Sequence, residues 1–263
     1  MKIQILISTL NNGLFKIKIK QNLEYVIVHQ ITNNNDDIYD NYAKSNFMYN
    51  VKYIKSKTIG LSISRNIAIR NSNADILWFM DDDVEIIDNC IEKIVDKYNK
   101  TNADVIILNH KYEANEANEA NEANEANELN IREYYHNRIS VAKVCSIDIS
   151  AKRNVFDSVE FEENFGLGTS LPSGEEFILM NDFLGNNKKI YQSNIISSIH
   201  PPLSSGLDFF SKKEKSLAKR KMFIRSYGGF MGEVMHILFI LKKFRTLLKN
   251  KALFSYILQV YFK

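Results

Sequence analysis

Apolar and polar positions alternate in blocks along the first half of the chain. KIQILIST, residues 2–9, reads as a first buried strand that enters a polar turn at LNNG. LEYVIVHQI, residues 23–31, is rich in β-branched residues and predicts a second strand. TNNNDDIYDNY, residues 32–42, reads as a loop, and VKYIKS, residues 51–56, as a short third strand. GLSISRNIAIRNSN, residues 60–73, places apolar side chains at helical spacing after a Gly and Ser start, so it predicts a helix. ADILWFM is a further strand, NCIEKIVDKYNKT an amphipathic helix and ADVIILNH another strand. Strands and helices in this rhythm predict an α/β fold with a largely parallel sheet. Ligands of such sheets sit at the carboxyl ends of the strands.

The second half is less regular. VAKVCSIDISAKRNVF, residues 141–156, reads as a strand followed by a short helical segment. FEENFGLGTSLPSGEEFILMNDFLG begins as a glycine-rich loop and turns helical from about Ser173. KKIYQSNIISSIHPP is a strand that ends in a histidine and two prolines. Between the halves, residues 113–128 hold five copies of Ala-Asn-Glu after Glu113. A three-residue period matches neither a helix face nor a strand face. The segment carries nothing apolar larger than Ala, so it reads as an acidic surface insertion that builds no core.

With 263 residues, 45% of them hydrophobic, the chain can bury a large core. One domain with an appendage is expected: residues 1–206, then a helical extension over 207–263. The two cysteines, Cys90 and Cys145, have no paired spacing. That argues against a disulfide scaffold or a zinc site and suits a reducing compartment. No secretory leader is visible and no apolar run reaches a membrane span, so a cytoplasmic protein is expected.

Charge changes the picture of the tail. Residues 209–263 hold 13 Lys and Arg against two Glu, a net +11, whereas the whole chain carries +3, leaving −8 on the remainder. An acidic body with a basic, partly apolar tail suggests an anionic partner for the tail. Peripheral contact with the inner face of a membrane is the first expectation, ahead of packing of the helices on the main domain. No base-reading motif is visible, and the acidic body argues against nucleic acid.

The candidate chemistry begins where ADILWFM ends, at Asp81, Asp82 and Asp83. Three adjacent carboxylates repel one another unless water or a cation relieves them. Either they form a solvated turn that favours the start of the next helix, or they hold a hard divalent ion such as Mg²⁺ or Mn²⁺. Glu175 and Glu176 open the later helix. Read alone, they are first-turn acids behind a Ser173 cap, or a general base beside a loop whose glycines let backbone pass close to a substrate. His200 is either a loop residue or a further metal ligand.

Taken in order, these segments resemble the inverting glycosyltransferases of the large family 2 type, with the GT-A fold. The resemblance rests on ILISTLNN, on GLSISRNIAI followed by ADILWFMDDDVEI, on FGLG with SGEE, and on IHPPLSSG, and it covers about residues 1–206. It implies a mostly parallel mixed sheet flanked by helices, followed by the basic helical extension. It also implies that Asp81 and Asp83 are the two ends of an Asp-x-Asp motif. Asp83 would hold Mn²⁺ or Mg²⁺, and Asp81 would face the ribose or diphosphate of a nucleotide-sugar donor with Asp82 beside it. Glu176 would be the catalytic base, with Glu175 on the acceptor or donor sugar and His200 a metal ligand found in some members only. Thr9 and Arg65 match nucleotide-side positions; by itself Arg65 reads as a helix-to-loop ion pair. The pattern departs at the end of the second strand, where many members carry an Asp against uracil and this chain has His29 and Gln30, with Asp36 and Asp37 farther on. The expected reaction moves a sugar, from UDP by the family's habit, to a hydroxyl of a bacterial surface glycan such as lipooligosaccharide or polysaccharide, and a lipid-linked acceptor would suit the basic tail. Other metal-dependent nucleotide enzymes (a nucleotidyltransferase or phosphohydrolase) and an inactive glycan-binding homologue stand as alternatives.

Overall fold

The computed structural model describes residues 1–113, 131–201 and 208–262. Its strands are β1 (Ile3–Leu10), β2 (Glu24–Gln30), β3 (Val51–Ser56), β4 (Ile76–Met80), β5 (Glu85–Ile86), β6 (Val105–Tyr112), β7 (Tyr134–Tyr135), β8 (Ile149–Lys152) and β9 (Ile190–His200). They form one sheet in the order β3-β2-β1-β4-β8-β6-β9-β5, with β7 also paired to β9. β1 to β4 run parallel. β8 enters antiparallel between β4 and β6, and β6 and β9 are parallel again. The carboxyl ends of β1, β4, β6 and β9 therefore share one edge.

The helices are α1 (Asp36–Asn46), α2 (Leu61–Arg70), α3 (Cys90–Lys100), α4 (Glu175–Gly185), α5 (Lys213–Tyr227), α6 (Gly229–Lys249) and α7 (Leu253–Tyr261). They cover both faces of the sheet, because central strands are apolar on both sides. Leu6, Val26 and Phe79 pack with Ala68 of α2, Ile178 of α4 and Met222 of α5. Ile5, Ile7 and Trp78 point the other way, onto Tyr39 of α1 and Ile94 of α3. The mixed α/β architecture is the one expected from the block pattern, and β3 spans the expected residues.

Three local expectations change. The stretch 32–42 is not a loop throughout: α1 starts at Asp36. Its apolar signal is sparse, but Tyr39 and Ala43 are buried on one face, and Asp36 and Asp37 lie in the favourable first turn. The polar turn LNNG belongs to a 3-10 helix over Asn11–Lys16. In 141–156 two 3-10 turns precede the short β8, and another follows it. The Ala-Asn-Glu repeat lies outside the described residues.

The basic tail begins as part of the main body. Ala218, Met222 and Phe223 of α5 join the same core as the sheet. Phe209, Leu247, Ala252, Tyr256 and Val260 form a smaller cluster of their own.

Candidate active site

A cavity of about 310 Å³ opens at the shared carboxyl edge, lined by Ser8, Thr9, Gln30, Gly60, Asp81, Asp82, Asp83, Gly168 and His200 among others. The three aspartates leave β4 in one turn, but each meets different surroundings. Asp81 Oδ1 lies 3.6 Å from Arg65 Nη2. Asp82 Oδ2 accepts a 2.6 Å hydrogen bond from the Thr9 hydroxyl, which joins the ends of β1 and β4. Asp83 has no hydrogen bond or ion pair among the described residues, and it lines the cavity. The turn does not cap the following helix: β5 intervenes, and α3 has Asn89 at its N-cap. Its charge is instead divided between an arginine, a hydroxyl and the open cavity. Burial still raises the Asp81 carboxyl above its usual range, with Arg65 opposing and the neighbouring carboxylates adding to the rise. Burial likewise raises Asp82, against the Thr9 hydrogen bond.

Close backbone approach makes the Thr9–Asp82 pair feasible. A Cβ at Gly13, in the 3-10 helix after β1, would lie 2.1 Å from Asp82 Oδ2 and 2.5 Å from Thr9 Oγ1. Only glycine leaves room there.

Arg65 projects from α2 and is almost fully buried, 3% exposed. Beyond Asp81 it reaches the first turn of α4. Its Nη1 donates to Glu176 Oε1 at 3.3 Å and lies 3.6 Å from Glu175 Oε1. Its guanidinium sits 5.3 Å from the centroid of the Phe161 ring. Burial opposes the charge of Arg65, but Glu176, Asp81 and Glu175 outweigh it and hold the group above its usual value. One arginine thus links the aspartate turn to both glutamates.

The two glutamates differ. Glu175 is 4% exposed, and its Oε2 is buried without a hydrogen-bond partner among the described residues. Burial first, and the charge of Glu176 second, push its carboxyl well above the ordinary range, with Arg65 pulling it down. Glu176 is partly exposed. Ser173 does not cap this helix. Gly174 is the N-cap, at φ +110°, and offers no side-chain cap hydrogen bond. Gly166 of the glycine-rich loop, at φ +106°, passes so close that a Cβ would meet Ser62 Oγ at 3.0 Å and Glu175 Cδ at 3.2 Å.

His200, at the end of β9, reaches the cavity wall. Its neighbour His110 was not expected from the sequence. The His110 ring lies 6.0 Å from that of His200, and its Nδ1 lies 3.0 Å from Asp148 Oδ2. The hydrogen bond to Asp148 raises the pKa of His110 against a burial effect. Only its place at a strand end, in ILNH, hinted at it. Lys219 of α5 was also missed. Burial lowers its pKa, and the charges of Glu176 and Glu175 oppose that shift. Its signal was lost in a tail full of lysines.

His29 and Gln30 part company. His29 is fully buried and bonds Tyr53 Oη at 2.7 Å and the Asn11 carbonyl at 2.9 Å, so it belongs to the core. Gln30 lines the cavity, and its Nε2 donates to the carbonyls of Thr58 and Gly60. Asp36 is engaged by Lys57.

Oxygen donors suit a hard divalent ion, and such an ion often takes one or two carboxylates plus phosphate oxygens and water. Among the described residues no three His, Cys, Asp or Glu side chains converge as a ready-made metal cage. With Asp83 unpaired beside Asp81 in a cavity wide enough for a diphosphate, the residues fit an ion completed by phosphate oxygens.

The family model described as glycosyl transferase family 2 matches residues 6–158, more than half of the chain. The chain belongs to this family. It is a glycosyltransferase, and the matched segment includes Thr9, Arg65 and the aspartate turn. Solved structures of S. aureus TarS are similar to it. TarS 1-349 in complex with UDP shares 16% identity at a TM-score of 0.56, over 86% of this chain and 67% of that one. The complex with UDP-GlcNAc shares 15% at 0.57, over 86% and 68%. A longer TarS chain shares 15% at 0.59, over 90% of this chain but 41% of its own length. At such identity the likeness shows the fold, which is GT-A. No curated protein sequence matches the chain.

Proposed function

We propose that this glycosyltransferase moves a sugar from a nucleoside-diphosphate donor to a glycan hydroxyl in one metal-dependent, inverting displacement. UDP-sugar is the donor, and a bacterial surface glycan such as lipooligosaccharide or polysaccharide is the acceptor. Residues 1–206 form the catalytic unit, with the helices after residue 207 packed on it. The observation that carries this reading is the contrast among the aspartates: two are engaged by Arg65 and Thr9, and Asp83 lines the cavity with no partner among the described residues.

In this reading Asp83, with Asp81 and His200 beside it, holds Mn²⁺ or Mg²⁺. The ion supplies charge stabilisation for the leaving diphosphate. Thr9 and Asp82 shape the nucleotide side of the cavity. Gln30 spends its amide N–H groups on Thr58 and Gly60, so its carbonyl oxygen remains to accept from the base. Uracil offers an N–H to such an acceptor, as it would to the Asp that many relatives place there. The UDP and UDP-GlcNAc complexes of TarS support the same donor class. Glu176 takes the proton of the acceptor hydroxyl as that oxygen bonds to the anomeric carbon. The bond to the diphosphate breaks on the opposite side, so the anomeric configuration inverts.

A thermal-shift panel of nucleoside diphosphates, with and without Mn²⁺, tests this reading. Ligands that bind the native state raise its melting temperature. A metal-dependent rise with UDP is expected. No rise with any diphosphate, in protein shown to be folded, would overturn it.

A further inference from the structure

The long helix α6 has one face that no other described residue covers. Gly232, His236 and Leu247 are buried on its inner side. On the other side Phe230, Ile237, Leu241, Phe244 and Leu248 recur at steps of seven, four, three and four, the spacing of a single helical stripe. They are exposed: 84% for Phe230, 63% for Leu241 and 51% for Leu248. A stripe of this length is larger than the scattered surface apolar residues of ordinary proteins. Lys242, Arg245 and Lys249 stand exposed along one border of it. Helix α7 adds Phe254, 74% exposed.

Three occupants suit an apolar stripe, and charge separates them. A second copy meeting the same face about a two-fold axis would bring the basic border against itself, in a segment of net +11. The one acidic residue of α6, Glu233, is already held by Arg220. Insertion across a bilayer fails on length and polarity, since no helix among the described residues is long and apolar enough. An anionic bilayer surface satisfies both halves of the pattern. The apolar stripe enters the acyl boundary while the basic border meets the headgroups.

We propose that the outer face of α6 is a docking surface for anionic phospholipid membranes. It lies flat in the interface and holds the enzyme at the membrane surface. The proposal is independent of the donor and metal assignments, and its test needs neither.

The full chain is sedimented with vesicles of phosphatidylglycerol mixed into phosphatidylcholine, and with vesicles of phosphatidylcholine alone. Binding to the anionic vesicles is expected, weakened by salt, with at least a tenfold lower affinity for phosphatidylcholine. The double variant Leu241→Glu/Leu248→Glu should lose at least tenfold in vesicle affinity. Both positions are exposed, so its circular dichroism and melting temperature should match the parent. The variant Lys242→Gln/Lys249→Gln should lose most of the preference for anionic lipid. A folded parent that ignores anionic vesicles overturns the proposal, as does a leucine variant that binds them equally well. A concentration-dependent dimer that the leucine variant abolishes would assign the face to a second copy instead, and would also overturn it.

Discussion

Arg65 Nη1 lies 3.3 Å from Glu176 Oε1, and the same guanidinium reaches Asp81 from its other nitrogen. The arginine thereby sets the distance between the aspartate turn and the glutamate pair. A fork of fixed geometry does this in a way a lysine does not. Arg65→Lys should fold but lose about 100-fold in kcat/KM, since misplacing groups by about 1 Å costs on that order. Arg65→Met should in addition be destabilised by about 3 kcal/mol, because it strands the buried Glu175. Urea unfolding and a transfer assay separate the two effects; a fully active Arg65→Lys would leave Arg65 a structural ion pair.

Glu175 is the least comfortable group in the site. Its folded-state carboxyl is raised by burial, so the native protein keeps that proton to higher pH than the unfolded chain does. Stability is therefore lost as pH rises from the usual carboxylate range through the raised value. Glu175→Gln removes the penalty. Its melting temperature should exceed the parent's at pH 8 and converge with it near pH 4, with each kcal/mol moving the midpoint by about 2–4 °C. Equal melting curves at both pH values would mean that burial imposes no such strain.

Much of this arrangement was legible from residue patterns, and its limits have physical causes. The strands β1, β2 and β4 announced themselves because buried parallel strands are largely apolar. Helix α1 did not, because only Tyr39 and Ala43 of its eleven residues are buried. The aspartates and the Glu pair stood out as local clusters. The bond from Thr9 to Asp82 spans 73 positions and that from Arg65 to Glu176 spans 111, so no local window contains either. Ser173 looked like the cap of α4, yet Gly174 takes that place at a positive φ, where the chain turns beneath Met222.

Gly13 has a narrow task. A Cβ there would press on Asp82 Oδ2 from 2.1 Å, and Asp82 is already tied to Thr9. Gly13→Ala should break that hydrogen bond, costing about 1 kcal/mol of stability, and should weaken binding of a nucleoside diphosphate. Isothermal titration with UDP reads the second effect. Unchanged affinity would remove the Thr9–Asp82 pair from the nucleotide side of the site.

Asp83 and Asp82 give opposite expectations. Asp83 has no partner among the described residues, so Asp83→Asn should leave the melting temperature of the ligand-free protein within about 1 °C, a substitution that breaks no contact being nearly neutral. The same change should abolish the extra stabilisation that Mn²⁺ gives in the presence of a diphosphate. Breaking the bond to Asp82 by Thr9→Val should do the reverse, lowering stability while keeping the metal response. A metal response that survives Asp83→Asn would move the ion elsewhere.

Lys219 brings the basic tail into the chemistry. Its charge acts on Glu175 and Glu176 from α5, and the same helix sets Met222 so close to Gly174 that a Cβ there would meet it at 2.9 Å. A positive charge favours the ionised form of Glu175. Lys219→Met should raise the pKa of Glu175 further, so the acid limb of the kcat/KM profile should move to higher pH. Lys219→Arg should largely restore the parent profile. A structural role alone would lower activity evenly at every pH, and an unshifted acid limb would show that Lys219 only supports the packing of α5.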